Sequence, residues 1–483
     1  MHMPSSNEFT HTPAVKEGFL ARAALAFTRW AERWFPDAYV FVALAVVLVS
    51  IAALANGAKP QAVAQAFGDG FWSLITFTMQ MAFVTIGGYV LASSPPVAKL
   101  IDRLTAIPNN GRSAIAFVAF ATMLASLLNA VFSLIFGGLL VRSLARRSDL
   151  SMDYRAGGAA AYLGLGATWA LGISSSAAQL QSNPASMPKA LLQITGVIPF
   201  TETIFLWQSI LLCVILIAIS TAIAWLSAPD PGHAVTAEKL GIEVKDEDLA
   251  LPPRQRPSEW LEYSPLMTIL IVGLSLGWLW QEFSSKNALE AISGLNTYNF
   301  LFLAAGLLLH WRPKSFLNAV AKAVPATTGV LIQFPLYGAV TMILTKAAGV
   351  DGHTVSDQLA AAFVSLNTAD SFPVIMGAYS AVLGFLLPSG GGKWLLEAPY
   401  VMQAAVDLHV HLGWAVQVYN AAEALPNLLN PFWMLPLVGI LGLKARDIVG
   451  FTFLQFIIHV PLVLLLLWWL GKTLTFIPPV LPG

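Results

Sequence analysis

Two polar interruptions hold the residues of this chain best suited to binding chemistry. In "SSSAAQLQSNPASM", Ser174, Ser175, Ser176, Gln179, Gln181, Ser182 and Asn183 offer hydroxyl and amide groups directly after the apolar "YLGLGATWALGI". In "PSGGGKWLLEAPYVM", Ser389, Gly390, Gly391 and Gly392 follow Pro388, and Lys393 and Glu397 stand four residues apart, the spacing that pairs side chains on one helix face. Proline withdraws a backbone donor and glycine lowers the cost of irregular φ, so the second segment breaks a helix and admits close backbone approach. Hydroxyls, amides and freed backbone N–H groups at a helix start suit an anionic or carbonyl-bearing solute. A polar external loop in the first case and an ordinary turn in the second are the plain alternatives. A third polar group, Glu423, Asn427 and Asn430 in "YNAAEALPNLLNPFWMLP", puts Glu423 and Asn427 on one helical face, where a desolvated carboxylate suits a coupling proton and an exposed one is only a loop residue.

These segments interrupt membrane-grade sequence. Hydrophobic residues make up 57% of the 483 and charged residues 11%, against about 25% charged in soluble domains. Runs at 39–54, 71–91 and 451–470 approach or reach the roughly 20 apolar residues that cross a bilayer as helix, without the period-two pattern of barrel strands. Irregular backbone at that depth must be buried in protein or line a wet cavity, and paired breaks in two halves point to a transporter's binding site. A charge at bilayer centre costs about 2.5–3.5 kcal/mol on insertion scales, so Lys393, Glu397 and Glu423 are functional candidates by default.

Composition excludes other roles. Lys+Arg and Asp+Glu are equal at 26, which leaves no argument for nucleic acid. Cys213 is the single cysteine, and no nucleotide-binding P-loop occurs. His409 and His411 would face opposite sides of a helix and make a poor metal pair. Asn367, Thr368 and Asp370 either line a pathway or cap the following helix. No nucleophile, general base and orienter occur together, so an enzyme is not expected.

The chain reads as two halves. Ser174, Pro184 and Met187 recur 215 residues later as Ser389, Pro399 and Met402, and the proline-bounded amphipathic segment 96–108 recurs 217 residues later as 313–325. Two motifs at nearly one offset argue for duplication. The expected organisation is a tail and Arg- and Trp-bearing interfacial helix (1–35), a first transmembrane repeat (36–227), a charged loop with "KDED" and "PPRQRP" (228–262), and a second repeat (263–483). The segments 96–108 and 313–325 are too short and charged to span and are expected at the interface. The block 113–141 is flanked by positive charge on both sides, as a re-entrant hairpin turning near Ser126 and Asn129 would be; a long tilted helix is the alternative. The positive-inside rule puts the N-terminus in the cytoplasm.

With these residues in view, the chain resembles the bacterial short-chain fatty acid transporter family. The resemblance runs through "RWAERWFPDAYVFVALAVVL", "SLIFGGLLVRSLARR", "PSGGGKW" and "NPFWMLPLVGILGLKARDIVGF", most of the length. It implies an all-α carrier of the ion-transporter superfamily type, with inverted repeats, interfacial arms, re-entrant hairpins and broken helices. It further implies an inner-membrane secondary carrier for small monocarboxylates such as butyrate or acetoacetate, driven by H+ or Na+ without other cofactors, and often a homodimer. The family usually has glutamine where this chain has Lys393 and Glu397, and aspartate at Glu423. Lys393 is thus expected either to hold a solute carboxylate or to be balanced by Glu397, and a channel for organic anions or a carrier of another small acid is the alternative function.

Overall fold

The computed structural model describes residues 33, 38–244, 251–286, 288–387 and 389–481. The interfacial helix expected within 1–35, the "KDED" run and Pro388 lie outside these residues, Arg33 apart.

The described residues form helices and no strand. In chain order they begin with α1 (Ala38–Ala55), α2 (Pro60–Ser73), α3 (Ile75–Ala92), the short α4 (Pro95–Leu104), α5 (Gly111–Leu128) and α6 (Ala130–Ala145). Next come α7 (Tyr154–Leu163), which runs into a π turn at Gly164–Thr168 and a 3-10 turn at Trp169–Leu171, then α8 (Ser176–Gln181), α9 (Lys189–Thr195) and α10 (Trp207–Ser227). Beyond the charged connection are α11 (Glu259–Tyr263), α12 (Leu266–Ser285), α13 (Ala288–Ser293), α14 (Leu295–His310), α15 (Pro313–Ala323), α16 (Thr328–Lys346) and α17 (Val355–Leu366). The chain closes with α18 (Phe372–Leu386), α19 (Gly390–Asp407), α20 (Leu412–Asn427), α21 (Pro431–Leu441) and α22 (Ala445–Gly471). Seven helical stretches among the described residues are long and apolar enough to cross a membrane.

The block 113–141 folds as the hairpin. Asn129 is extended (φ −158°, ψ 126°), ends α5, and caps α6 by accepting from Phe132 N at 2.8 Å. Thr122 of α5 lies against Gly137 of α6. The two open ends also meet: the Arg147 guanidinium donates to the carbonyls of Thr105 and Pro108 at 2.6 and 3.0 Å. Both ends therefore lie together, the hairpin being the one of the two readings that the positive flanks left open.

A second hairpin is α18–α19. Tyr379 and Tyr400 join hydroxyls at 2.9 Å across it, and Lys393 reaches back to Ser380, so the two helices run antiparallel about a tip near Ser389. Each hairpin is followed by an interrupted helix (α7 to α8; α20 to α21) and then a long one (α10; α22). That twofold order of hairpin, broken helix and long helix is the repeat. The serine motifs at offset 215 sit in unlike elements: Ser174 lies in a helix break, and Ser389 at a hairpin tip.

The arms α4 and α15 each start with proline in the first turn, and on α4 only Val97 and Ile101, one turn apart, are buried. At 10 and 11 residues neither spans alone, although α15 continues through a 3-10 turn into α16. The first part of the charged connection, at 230–235, is docked on the first half. Val235 N donates to the Asp153 carboxylate that caps α7, and Arg112 pairs with Asp230 at 2.8 Å.

Around the hairpins stands a frame of α1, α2, α3, α14 and α16, in which α16 packs closely on α2. The approach is backbone to backbone: a methyl on Gly70 would lie 2.6 Å from Gly338 O and Ala339 Cα. Overpacking a site with no side chain to move costs about 1–3 kcal/mol. Gly70→Val should lower the thermal midpoint of the detergent-solubilised protein accordingly, whereas Gly68→Ala, with open space around it, should not.

Candidate functional site

Both hairpin tips converge on the helix break between α7 and α8. Ser174 Oγ donates to Ser126 O at 2.6 Å and Ser174 N to Leu127 O at 3.3 Å, which fixes the break to the first tip. The second tip arrives from the other side: a methyl on Gly390 would lie 2.2 Å from the Trp169 ring, and one on Gly391 3.2 Å from Ser176 Cβ. Only glycine permits this approach, which is the physical reason for the glycine run at the start of α19. Ser389 accepts from Gly392 N at 3.2 Å as the α19 cap.

The third wall is α20. Ser175 Oγ donates to Asn420 Oδ1 at 2.9 Å, Asn420 Nδ2 donates to Gln417 Oε1 at 2.5 Å, and Tyr419 donates its hydroxyl proton to Gly390 O. On this helix Gln417, Asn420, Glu423 and Asn427 recur every three or four residues and are all buried. Helical spacing of that kind was visible in the sequence, yet only Glu423 and Asn427 of the four were singled out.

Lys393, Glu397 and Glu423 form one cluster, each with zero exposure. The Lys393 ammonium donates to Ser380 O (2.9 Å), Ser380 Oγ (2.6 Å) and Glu397 Oε1 (3.0 Å), and stands 2.8 Å from Glu423 Oε2. It also lies 4.4 Å from the Tyr419 ring centroid. Gly384 of α18 faces Glu423, so small volume there admits α20. Among the described residues Glu423 Oε1 and Glu397 Oε2 meet no donor. Ser380 and Tyr419 carried no sequence signal, being a hydroxyl and a ring in apolar runs.

Other expected site residues fall elsewhere. Gln179 donates to Ile173 O at 2.7 Å inside the break, but Asn183 donates to Ser293 O at 2.8 Å and accepts from Leu295 N, tying the break to α13 and α14. Gln181 is buried against Thr195. Asn427 sits at the end of α20, its carbonyl accepting from Tyr162, and Asn430 follows in the break before α21. Asp370 pairs with Lys472 at 3.2 Å. Among the described residues no group of three or more His, Cys, Asp or Glu is placed to hold a metal ion.

Around the junction three buried N–H donors lack acceptors: Trp169 Nε1, Trp394 Nε1 and Gln417 Nε2. Gln179 Oε1 and Asn427 Oδ1 are likewise buried acceptors without donors, and an unsatisfied buried group costs about 1–3 kcal/mol, so the arrangement favours a ligand that supplies both acceptors and donors.

Re-entrant hairpins, broken helices and buried charge define a multi-pass membrane transporter. The fold agrees with solved structures at low identity. The Alcanivorax borkumensis YdaH transporter matches with a TM-score of 0.53 at 14% identity, over 90% of this chain and 98% of that one. Neisseria gonorrhoeae MtrF, from a class of antimetabolite efflux pumps, matches with a TM-score of 0.53 at 13% identity, over 95% and 99%. Residues 19–470 match the family described as Short chain fatty acid transporter, and the chain belongs to it. Relatives named "Putative short-chain fatty acid transporter" are 34% identical over 89% of this chain and 96% of the Escherichia coli (strain K12) protein. For Haemophilus influenzae (strain ATCC 51907 / DSM 11121 / KW20 / Rd) the figures are 30%, 93% and 100%.

Removing one member of a buried ion cluster leaves an uncompensated charge and costs about 3–5 kcal/mol. Lys393→Met should lose that stability, and the further changes Glu397→Gln and Glu423→Gln should recover most of it. A Lys393→Met protein that melts with the parent would show that the cluster is not held by charge.

Proposed function

We propose that this protein is a secondary carrier that moves small monocarboxylates across the cytoplasmic membrane, coupled to H+ or Na+. The observation that carries the reading is the junction itself. Two re-entrant tips, a helix break and a polar helix face enclose unpaired N–H donors beside a fixed ammonium. Such a set of groups complements a carboxylate, whose oxygens accept several hydrogen bonds, and Phe334 and Tyr337, packed beside Gly391 and Gly392, are the apolar neighbours a short acyl chain would meet.

In this reading Ser174, Ser175, Ser176, Gln179, Ser389 and the Gly390–Gly392 backbone contact the solute, with Trp169, Trp394 and Gln417 supplying donors. Lys393 stays behind these groups as a charge the solute does not touch, since protein oxygens, two of them from carboxylates, already surround its ammonium. Glu397 and Glu423 tune that charge. The sealed cluster favours a gated carrier over a channel, which needs a continuous wet path. Assembly as a homodimer and a cytoplasmic N-terminus belong to the same proposal, carried by family resemblance and charge bias.

Purified protein in proteoliposomes should show saturable uptake and counterflow of labelled butyrate, competed by an acetate-to-hexanoate series and not by the corresponding amides. Trp169→Phe, which removes one donor, should weaken apparent affinity roughly tenfold at unchanged expression. Flux without counterflow would establish a channel, and counterflow confined to another solute class would overturn the substrate assignment.

A further inference from the structure

The ammonium of Lys393 is surrounded more as an ion than as a hydrogen-bond donor. Four oxygens lie within 3.0 Å of a group that has only three N–H bonds: a backbone carbonyl, a hydroxyl and two carboxylates. An aromatic face closes another side at 4.4 Å. Carbonyl, hydroxyl and carboxylate oxygens are the set that replaces the hydration shell of a hard cation in a protein. The ligands come from three helices: Ser380 on α18, Glu397 on α19 and Glu423 on α20. Lys393 reaches them on a flexible stem whose backbone belongs to α19. With all three groups ionised, one positive charge faces two negative ones, and two carboxylate oxygens, Glu423 Oε1 and Glu397 Oε2, remain without donors in a fully buried site.

We propose that these oxygens form a monovalent-cation site which the chain fills permanently with its own lysine ammonium, so that solute movement needs no sodium ion. A tethered ammonium supplies the charge that an inorganic cation would otherwise bring, at the same place and to the same oxygens. The transport part of this inference rests on the carrier reading above and chooses between its two coupling ions; the cation site itself does not depend on that reading. Removing the tether should expose the site. Lys393→Ala leaves two carboxylates, a hydroxyl and a carbonyl around the space vacated by the stem, with no internal counter-charge.

The test has two independent arms. In the first, uptake of labelled butyrate by wild-type proteoliposomes is compared in sodium chloride and in choline chloride. Equal rates are expected, and a several-fold loss in choline overturns the proposal. In the second, the melting temperature of purified Lys393→Ala is followed against sodium, potassium and ammonium chloride, with choline chloride as the control for ionic strength. A saturable rise of a few degrees with at least one small cation is expected, because a ligand that binds only the folded state stabilises it by mass action, and the wild type should show none. Should Lys393→Ala not be recovered, Lys393→Ala with Glu423→Gln carries one charge fewer and is examined in the same salts. Response of either variant to a small cation supports the site, while failure of both to respond, or to be recovered in any of the cations, overturns it. If the wild type moves no monocarboxylate at all, the carrier reading falls and the melting arm still decides the cation site.

Discussion

The constraint on which the structure depends is the placement of a lysine and two glutamates with zero exposure in a chain otherwise built for lipid. Each such charge costs about 2.5–3.5 kcal/mol to insert when left alone, so the three persist by pairing, one ammonium against two carboxylates. Their backbones belong to α19 and α20, and the lysine also needs the carbonyl and hydroxyl of Ser380 on α18. Electrostatics therefore decides how three helices meet, and apolar packing fills in around that decision.

Small residues make the meeting possible. Gly384 admits Glu423, Gly390 lets the second tip reach Trp169, and Gly137 lets α5 and α6 close on each other at Thr122. A Cβ would lie 2.6 Å from Pro426 of α20 at Gly384, 2.2 Å from the Trp169 ring at Gly390 and 2.6 Å from Thr122 at Gly137. Buried backbone freed by a tip or a break must find a partner, and here the tips and breaks satisfy one another: Ser174 bonds Ser126 and Leu127, and Tyr419 bonds Gly390. Irregular backbone at the centre is thus mutually stabilised.

Much of this was legible in the sequence. Positive charge on both flanks made a hairpin at 113–141 one of two readings beside a long tilted helix, the i,i+4 spacing allowed Lys393 to pair with Glu397, and serine and glycine runs in apolar surroundings marked the polar breaks. What sequence alone obscured was correspondence. The serine motifs share a spacing, but one lies in a broken helix and the other at a hairpin tip, because a polar interruption looks alike in either setting. Partners distant in sequence were equally hidden: Ser380, Tyr419 and Trp169 gain their roles only when α18, α20 and the π turn are brought together. Asn183 shows the converse, a polar residue in the right segment whose side chain is taken by Ser293 and Leu295.

The two hairpins are closed by different physics. Between α5 and α6 the seam is one of close packing, Thr122 against Gly137, with the open ends latched by Arg147. Between α18 and α19 side chains reach across: a tyrosine pair at 2.9 Å and the lysine on Ser380. Packed seams separate only by creating voids, and cores resist that because lost dispersion contacts are not replaced. Polar seams exchange partners, since an ammonium or hydroxyl released from one oxygen is satisfied by another. A solute or ion carrying its own charge competes for the second kind of seam and not for the first. The ionic cluster therefore lies in the seam that exchangeable polar contacts hold, and not in the one that close packing holds.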